Sequence, residues 1–367
     1  MRLFFVAMLL AACGSPRGAD EPAAISLADA ALADAHLPDA APPAAPPREV
    51  GWLKGNLHVH AAPSGDSKTP VEDVMRWYQE RGYDFIALTD HNRITDVDGG
   101  TAGRVAVHTD GLIVLAGVEL TYNPSACDPP PPELDGKCRI HANVIGPTAR
   151  PEGKIEWANR KSTLRVDSYQ AALDRAAEWG GLVQINHPNW YWGMTSDVLT
   201  ALARNGVRLV EVANMQFRNW SDGDATHPSV EALWDAALRA GETLWATAAD
   251  DAHHYEDLEH ARYPAGGAWI MVRAARDPDA ILQAIHDGRF YASTGVTLSR
   301  AEVEDGALVV EVAASESDPV ITFIGDGRVL AEVRGATGRQ PLNVATYVRA
   351  VVRRGDGARA WVQPARP

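Results

Sequence analysis

Short apolar runs alternate with helical patterns along residues 52–294, and several of these runs end in a histidine, an aspartate or a glutamate. Alternation of this kind predicts parallel strands joined by crossover helices. The carboxyl ends of such strands meet on one face of an α/β barrel, where active sites are built. The sequence therefore predicts an α/β fold with metal-binding side chains gathered on one face. The predicted strands are LHVH at 57–60, FIALT at 85–89, LIVLAGVE at 112–119, NVIG at 143–146, LVQIN at 182–186, RLVEVA at 208–213 and TLWATAA at 243–249.

The first predicted strand carries two histidines one residue apart. The period of two along a strand places His58 and His60 on one face, with Leu57 and Val59 on the other. One such pair is weak support for a metal site. The other strand termini strengthen the prediction, because solvated histidines would have no reason to gather there. The candidates at those termini are His91, Glu119, His141, His187, Asp251 and His253.

The N-terminus has the character of an export signal. Residues 1–13 combine one arginine, an apolar stretch too short to span a bilayer, and small residues before Cys13. This segment resembles a bacterial lipoprotein signal peptide that ends at a lipidated Cys13; the alternative is an ordinary secretory signal with a chance cysteine. Residues 14–48 are mostly Ala, Pro and Asp, which predicts a disordered tether. We therefore expect an extracytoplasmic lipoprotein, held at a membrane by its N-terminal anchor.

The charge of the chain argues against a nucleic-acid partner, and the position of two cysteines predicts a disulfide. The formal net charge is -14, and we find no cluster of Lys and Arg suited to a phosphate backbone, so no nucleic-acid partner is expected. Cys127 and Cys138 bracket a proline-rich loop in a compartment that should be oxidising, which predicts a disulfide. Two metal-binding thiolates are the disfavoured alternative, because their spacing fits no zinc pattern.

The pattern changes near residue 296 to short alternating strands separated by Gly-Asp turns. This change predicts a small all-β domain at the C-terminus. The predicted organisation is a signal peptide at 1–13, a tether at 14–48, a metal-binding α/β domain at 49–295 and a β-rich domain at 296–367.

Taken together, the ligand segments resemble the polymerase and histidinol phosphatase (PHP) domain superfamily of metal-dependent phosphoesterases, over about residues 50–295. The matching segments are His58-Val59-His60, Asp66, Thr89-Asp90-His91-Asn92, Glu119, His141, Asn186-His187-Pro188 and Asp251-Ala252-His253. The resemblance implies a distorted (β/α)7 TIM-like barrel that holds two or three divalent metal ions. It implies a first metal bound by His58, His60, Glu119 and Asp251, a second bound by Glu119, His141 and His187, and a third bound by Asp66, His91 and His253.

Three further segments resemble the carbaryl-hydrolase-like branch of this superfamily. They are DDAHH at 250–254, GRFYASTG at 288–295 and AWVQP at 360–364. Proteins of that branch are mostly secreted or anchored, which agrees with the predicted export signal.

The mixed imidazole and carboxylate ligands suit Zn, Mn or Fe better than Ca or Mg. A water between closely spaced ions ionises near neutral pH, so the expected nucleophile is a metal-bound hydroxide. Asp90 and Asp250 adjoin ligands and are candidates for orienting the imidazoles as hydrogen-bond acceptors. For Asp90, a helix cap is an equally good interpretation.

Several residues near the ligands are candidates for contact with a substrate. They are Arg93, Trp190, Tyr191, Trp192 and Asn214, together with Glu211. Arg93 can grip a phosphate or a carboxylate, or be simply solvated. The aromatic residues at 190–192 can stack on an aryl or sugar group, or pack against a helix. Glu211 and Asn214 lie at the end of a predicted strand and should face the opening of the metal site. A structural role inside the barrel is the alternative.

These observations support three functional hypotheses. The first is a phosphoesterase for a small phosphomonoester or phosphodiester outside the cytoplasm. The second is a carbamate or carboxylic ester hydrolase, which the scarcity of cations near the motifs favours slightly. In both, the partner is a small-molecule ester. The third is a surface metal-binding protein without turnover, which is disfavoured because a complete ligand set with an open position is what catalysis needs.

Overall fold

A computed structural model describes residues 49–98, 103, 105–108, 111–256, 258 and 265–367. The predicted signal peptide with Cys13 and the predicted tether at 14–48 lie outside the described residues. What is described is a mixed α/β structure, built on one large sheet with few helices.

The strands are β1 (Val50–Val59), β2 (Phe85–Leu88), β3 (Val105–His108), β4 (Ile113–Tyr122), β5 (Ile140–Ile145), β6 (Leu182–Ile185), β7 (Leu209–Asn214), β8 (Trp245–Ala249), β9 (Trp269–Ala275), β10 (Phe290–Ser293), β11 (Leu298–Glu304), β12 (Ala307–Val312), β13 (Val320–Gly325), β14 (Arg328–Arg334), β15 (Thr337–Pro341), β16 (Val348–Arg353) and β17 (Arg359–Ala365). The helices are α1 (Val71–Glu80), α2 (Arg165–Trp179), α3 (Ser196–Arg204), α4 (Arg218–Asp222), α5 (Val230–Arg239) and α6 (Pro278–His286). Single 3-10 turns lie at Ala62–Ser64, Trp190–Trp192 and Leu342–Val344.

The strands form one large and one small sheet. The large sheet runs in the order β14-β13-β16-β17-β10-β9-β1-β2-β4-β5-β6-β7-β8, with β3 paired beside β4, and the small sheet is β11-β12-β15. β1, β2 and β4 are parallel neighbours, and so are β6, β7 and β8. Because β5 is antiparallel to both β4 and β6, these two groups point in the same direction.

The predicted (β/α)7 barrel of parallel strands is not confirmed, and the sheet is not closed. Closure would require β8 to pair with β1, but β9 occupies that edge over Val50–Gly55 in antiparallel register, and beyond it only a single parallel bridge joins Val59 to Ala252. The reversal of β5 has a local cause. Residues 123–139 between β4 and β5 contain no helix, whereas a parallel connection needs a longer crossover. A disulfide joins Cys127 to Cys138 within this loop, with Cα atoms 5.9 Å apart.

Local signals set the ends of several helices. The Ser229 hydroxyl caps α5 by accepting a hydrogen bond from the Ala232 N–H at 3.2 Å. Asp277 caps α6 in the same way, and Pro278 fills the first helical position. α2 ends at Gly180, whose φ of 78° lies in the left-handed region. The described residues include no helix with the length and apolar character that a membrane crossing needs.

The chain beyond residue 296 continues the large sheet. β17 pairs with β10 on one side and with β16 on the other. The strands of this region also enclose apolar side chains of their own, including Leu308, Val310, Phe323 and Val352. A packed core in this region therefore lies against the strands that carry the predicted ligands.

A buried ion pair fastens β16 to α5. Arg349 is 1% exposed, and its guanidinium donates to both carboxylate oxygens of Asp235 at 2.7 Å. The Tyr347 hydroxyl donates to the same carboxylate at 2.7 Å. A buried pair gives modest net stabilisation while it is complete, but loss of one partner leaves an uncompensated charge.

We expect Arg349→Met to lower the free energy of unfolding by about 3–5 kcal/mol, because Asp235 would stay buried without its counter-ion. Arg353→Met is the matched control on the same strand. Arg353 is 45% exposed and lies 3.8 Å from Glu231, so its loss should cost less than about 1 kcal/mol. Urea unfolding followed by circular dichroism measures both values. Equal losses in the two variants would contradict the role given to the buried pair.

Candidate metal centre

The predicted ligands lie where several strands of the large sheet meet. His58 and His60 end β1 or follow it, and Glu119 lies in the second half of β4. His141 lies near the start of β5, opposite Thr121. Because β5 runs in reverse, its first residues meet the carboxyl ends of its neighbours. The remaining ligand candidates lie in loops, with His91 after β2, His187 after β6, Asp251 and His253 after β8, and Asp66 after the 3-10 turn Ala62–Ser64.

Glu119 stands at the centre of the cluster and is 1% exposed. Its two carboxylate oxygens lie within 3.6 Å of five imidazole nitrogens, which belong to His58, His60, His91, His141 and His187. No lysine or arginine among the described residues is paired with it. A carboxylate in this position is suited to bridge two cations.

The first ligand group contains His58, His60 and Asp251. The Nε2 atoms of the two histidines lie 3.2 and 3.1 Å from Asp251 Oδ1, and 3.5 and 3.6 Å from the oxygens of Glu119. Four tetrahedral ligands about 2.0–2.1 Å from an ion are separated by about 3.3–3.4 Å. His58 Nε2 is fully buried and makes no hydrogen bond. The spacing and the unpartnered nitrogen both fit a divalent metal.

Two further groups adjoin the first. Glu119, His141 and His187 bring their ligand atoms together in one group, and His60, Asp66, His91 and His253 do so in the other. Asp66 Oδ2 lies 2.9 Å from His91 Nε2 and 3.1 Å from His253 Nε2. His60 therefore adjoins two groups, whereas the resemblance implied a role at the first metal alone. Imidazoles and carboxylates are donors that hold divalent metal ions.

The second nitrogen of several ligand imidazoles has a fixed neighbour. The contacts are His58 Nδ1 to Glu211 Oε1 at 2.7 Å, His60 Nδ1 to Ser64 Oγ at 3.0 Å, His91 Nδ1 to Thr121 Oγ1 at 2.6 Å and His141 Nε2 to Asn123 Oδ1 at 3.0 Å. Such contacts fix the ring orientation and the tautomer of a metal ligand. A proton held at His58 Nδ1 by Glu211 leaves the lone pair of Nε2 directed at the first group.

Among the residues that hold the ligands in place, which we call the supporting layer, Glu211 is fully buried and makes several contacts. Besides His58, it accepts hydrogen bonds from the His187 N–H at 2.7 Å and from the Asn214 amide at 2.9 Å. Asn214 also donates to Asp251 Oδ2 at 3.2 Å and is 1% exposed. Asn214 therefore has the structural role rather than the predicted substrate contact, because its buried side chain donates hydrogen bonds to two carboxylates.

Asp90 and Asp250 do not contact an imidazole, contrary to the prediction. Asp90 accepts from the Ala61 N–H at 2.8 Å and from the Thr95 hydroxyl. Asp250 accepts from the Asn56 amide, the Tyr78 hydroxyl and the backbone N–H groups of residues 266–268. Burial raises the pKa of each carboxyl to about 6. Both side chains organise the loops that carry the ligands.

Three residues that are candidate ligands or directly follow one adopt left-handed backbone conformations without being glycine. They are Asn92 at φ 51°, His187 at φ 25° and Asp251 at φ 53°. Such conformations cost energy and persist where the surroundings fix them, which is common at functional sites. The hydrogen bond from His187 to Glu211 is one such fixed contact.

The cluster shifts the pKa values of its members in both directions. Burial lowers the pKa of His60 to about 3, with help from neighbouring imidazoles. Burial also lowers the pKa of His141 to about 4, against the opposing charge of Glu119. Burial also tends to lower the pKa of His91, but the negative charges of Glu119 and Asp66 outweigh burial and raise this pKa to about 10. Ligand protons of this kind must leave when a metal binds.

An aromatic wall flanks the ligand group of Glu119. Trp190 lies edge-on to the rings of His141 and His187, with centroids 5.6 and 5.4 Å apart. Phe217 lies 4.5 Å from the His187 ring and 4.6 Å from Trp190. The Arg139 guanidinium lies 5.0 Å above the Trp190 ring. The wall thus combines an apolar face with one cation.

The other predicted substrate residues lie farther from the ligands. Tyr191 and Trp192 pack against Trp220, with ring centroids 5.5 and 4.7 Å apart. Trp192 also stacks on His227 at 4.2 Å. Arg93 is exposed. Trp190 is therefore the member of the predicted aromatic set that touches ligand imidazoles.

A cavity of about 240 Å³ lies next to residues that contact the ligand imidazoles, and none of the candidate ligands lines it. Thr121 and Asn123, which hold two ligand imidazoles, lie in its wall together with Tyr122, Trp157 and Arg160. It offers polar side chains and room for a small molecule next to the cluster.

Three adjoining groups of imidazole and carboxylate ligands that meet at one buried glutamate define a candidate multinuclear metalloprotein. The profile of the PHP domain matches residues 56–292, more than half of the chain, and the chain belongs to this family. The match begins in β1, ends in β10 and includes all nine predicted ligands. Proteins with this domain are typically metal-dependent hydrolases. A comparison with curated proteins gave no significant match.

Sequence reasoning missed most of the supporting layer. Thr121 and Asn123 follow Glu119 at intervals of two along or just beyond β4, so strand periodicity alone points them toward the same face. That signal was available in the sequence. The sequence indicates Glu211 as a polar residue near the site but not as the partner of His58, because the two lie 153 positions apart and no local pattern joins them.

We expect Glu211→Gln to weaken metal binding by about 10–100-fold, because His58 and His187 would lose the carboxylate that orients them. Competition with a chromogenic chelator measures the affinity. Glu242→Gln is the matched control, since Glu242 pairs with Arg204 at 3.0 Å away from the cluster. An unchanged affinity in Glu211→Gln would remove Glu211 from the metal centre.

Proposed function

We propose that this protein is a metal-dependent phosphoesterase for small phosphomonoesters or phosphodiesters. The observation that carries the proposal is the convergence of the ligands on Glu119, with the cation of Arg139 at the edge of the cluster. Family membership supports the hydrolytic class. The phosphoryl preference is our inference.

Two or three divalent ions held by the ligand groups would supply the charge that polarises a phosphoryl group and the activated water that attacks it. The chain itself fixes the ligands. Glu211 holds a proton at His58 Nδ1, and Asn123 holds the ring of His141 from its outer nitrogen. Trp190 and Phe217 exclude water from one side of the site, which strengthens the electrostatic interactions inside.

Arg139 supports an anionic substrate. No carboxylate of the described residues lies within ion-pair distance of it, and its contacts are the Cys138 carbonyl at 3.0 Å and the rings of Trp190 and Tyr191. The neighbouring disulfide at Cys138 constrains its backbone. A planar guanidinium held against aromatic faces can donate two parallel hydrogen bonds to a phosphate group. Arg139 precedes the candidate ligand His141 by two residues and is one of the few cations near the motifs.

The second candidate is a carbamate or carboxylic ester hydrolase of the carbaryl-hydrolase type. The apolar wall of Trp190 and Phe217 favours it, because an aryl leaving group would pack there. The segments at 250–254, 288–295 and 360–364 that resemble this branch support it as well. The same ligands would serve either reaction, since both need a polarised centre and an activated water.

A metal-binding protein without turnover is the least favoured candidate. A structural metal site closes its coordination with protein ligands, whereas a catalytic one keeps a position open. The cavity lined by Thr121 and Asn123, which contact His91 and His141, offers room for a small molecule near the ligands, and a storage site does not require such room.

We expect the purified full chain loaded with Mn or Zn to hydrolyse chromogenic phosphate esters. His58→Ala should reduce kcat at least 100-fold, because it removes a ligand from the first group. Phosphomonoester, phosphodiester and carboxylic ester substrates are compared in parallel. Bound metal without turnover on any of them would favour the binding protein, and turnover of the carboxylic ester alone would favour the second candidate.

Two arginine variants separate the ester classes in the same assay. Arg139→Met should raise KM for the phosphate esters and leave KM for a neutral aryl ester unchanged. Arg81→Met is the control, because Arg81 also lies over an aromatic ring, that of Trp77, but pairs with Glu80 at 3.8 Å. Equal effects of Arg139→Met on both ester classes would assign it a structural role.

We also propose that the protein is an extracytoplasmic lipoprotein anchored through Cys13. The support is the short apolar run before Cys13 and the Ala, Pro and Asp composition of residues 14–48. Cys13→Ser should move the chain from the detergent phase to the aqueous phase when membranes are partitioned, with Ser15→Ala as the control. Retention of the variant in the detergent phase would exclude this anchor.

A further inference from the structure

A second cavity, of about 470 Å³, lies away from the ligands. Its wall includes Trp52, the third residue of β1, whereas His58 is the ninth. Six residues of extended strand separate these positions by roughly 20 Å. The volume falls within the range of small-molecule pockets, roughly 300–1000 Å³. The cavity is therefore separate from the metal centre and large enough for a ligand of its own.

The floor of this cavity is aromatic. Trp52, Trp245 and Phe290 line it. The indole N–H of Trp52 donates to the Ser299 carbonyl at 3.2 Å, and that of Trp245 donates to the His286 carbonyl at 2.9 Å. With both N–H groups engaged, the indoles are fixed in place and contribute ring surface to the cavity. Fixed aromatic surface binds apolar faces without a large entropic cost.

Two arginine–carboxylate ion pairs lie at the rim of the cavity. Arg273 pairs with Glu302 at 3.0 Å, and Arg289 pairs with Asp287. These four side chains all line the cavity, and their exposed fractions lie between 33% and 52%. An anion or a cation entering the cavity would meet a rim without net charge. A ligand with many hydroxyl groups would find both donors and acceptors there.

Two segments singled out in the sequence meet at this cavity. Residues 288–290 and 362–364 contribute to its wall, and they belong to the segments at 288–295 and 360–364. β10 and β17, which contain most of these residues, pair in antiparallel register. Neither segment supplies a candidate metal ligand, so the proposed catalytic function leaves both unexplained.

We propose that this cavity binds a neutral saccharide. Sugars combine an apolar C–H face, which suits the indoles of Trp52 and Trp245, with hydroxyl groups, which suit the paired charges of the rim. The balance of charge disfavours nucleotides and organic acids. The cavity lies between the matched PHP domain and the C-terminal strands, so the bound sugar would contact both.

The test is a titration of the full chain with cellobiose, chitobiose and mannobiose, measured by isothermal calorimetry and by saturation-transfer NMR. At least one disaccharide should bind saturably, and binding should persist after metal is removed with a chelator. Trp52→Ala and Arg273→Gln should each weaken it by about tenfold or more. Arg273→Gln alters an exposed side chain, so it serves even if Trp52→Ala fails to fold.

Arg76→Gln is the matched control. Arg76 is also an exposed arginine paired with a carboxylate, that of Asp73 at 2.6 Å, on helix α1. It should bind the disaccharide as the unaltered protein does. Failure of all three disaccharides to bind would overturn the proposal, as would binding that Trp52→Ala and Arg273→Gln leave unchanged. Because the chelated protein is used, the result does not depend on whether the chain is a phosphoesterase.

Discussion

The buried carboxylate of Glu119 is the constraint on which the rest of the site depends. A carboxylate at 1% exposure beside five imidazoles is costly unless positive charge neutralises it, and no lysine or arginine of the described residues does so. Protons on the imidazoles or divalent ions must therefore provide the charge. Strands β1, β4 and β5 and the turns after β2 and β6 converge on this one side chain. His187 and Asp251 reach the cluster from positions with left-handed backbone.

Most of the ligands could be predicted from the sequence because each of these is a local signal. A histidine, aspartate or glutamate at an end of an apolar run needs no knowledge of distant residues, whereas Asp66 follows no such run and came only from the family resemblance; the structure brings all nine together. The direction of β5 was missed, because apolar patterns carry no strand direction. The helix-free loop at 123–139 was the available signal for an antiparallel return. The open sheet could not be foreseen, since it depends on β9 taking the edge of β1.

The roles of the acidic residues show where sequence reasoning stops. Asp90 and Asp250 adjoin ligands in the chain, yet their hydrogen bonds go to loop backbone, to Thr95 and to other side chains that hold the loops. Glu211 is remote in sequence and orients His58 directly. Neighbours in the chain tend to point to opposite faces at a strand end, so an adjacent carboxylate is poorly placed to reach the same imidazole. The side chain that orients a ligand imidazole therefore comes from another strand, and only the fold shows which strand that is.

β1 connects two environments of opposite character. Its carboxyl end carries His58 and His60 in a polar, buried cluster, whereas its amino end carries Trp52 at an aromatic cavity. Because the strand is paired along its length with β2 or β9, the two sites cannot move independently without breaking sheet hydrogen bonds. The pairing of β10 with β17 and the buried contact of Arg349 with Asp235 hold the C-terminal strands against the same frame. A saccharide in the cavity would therefore be held at a fixed distance from the candidate metal centre.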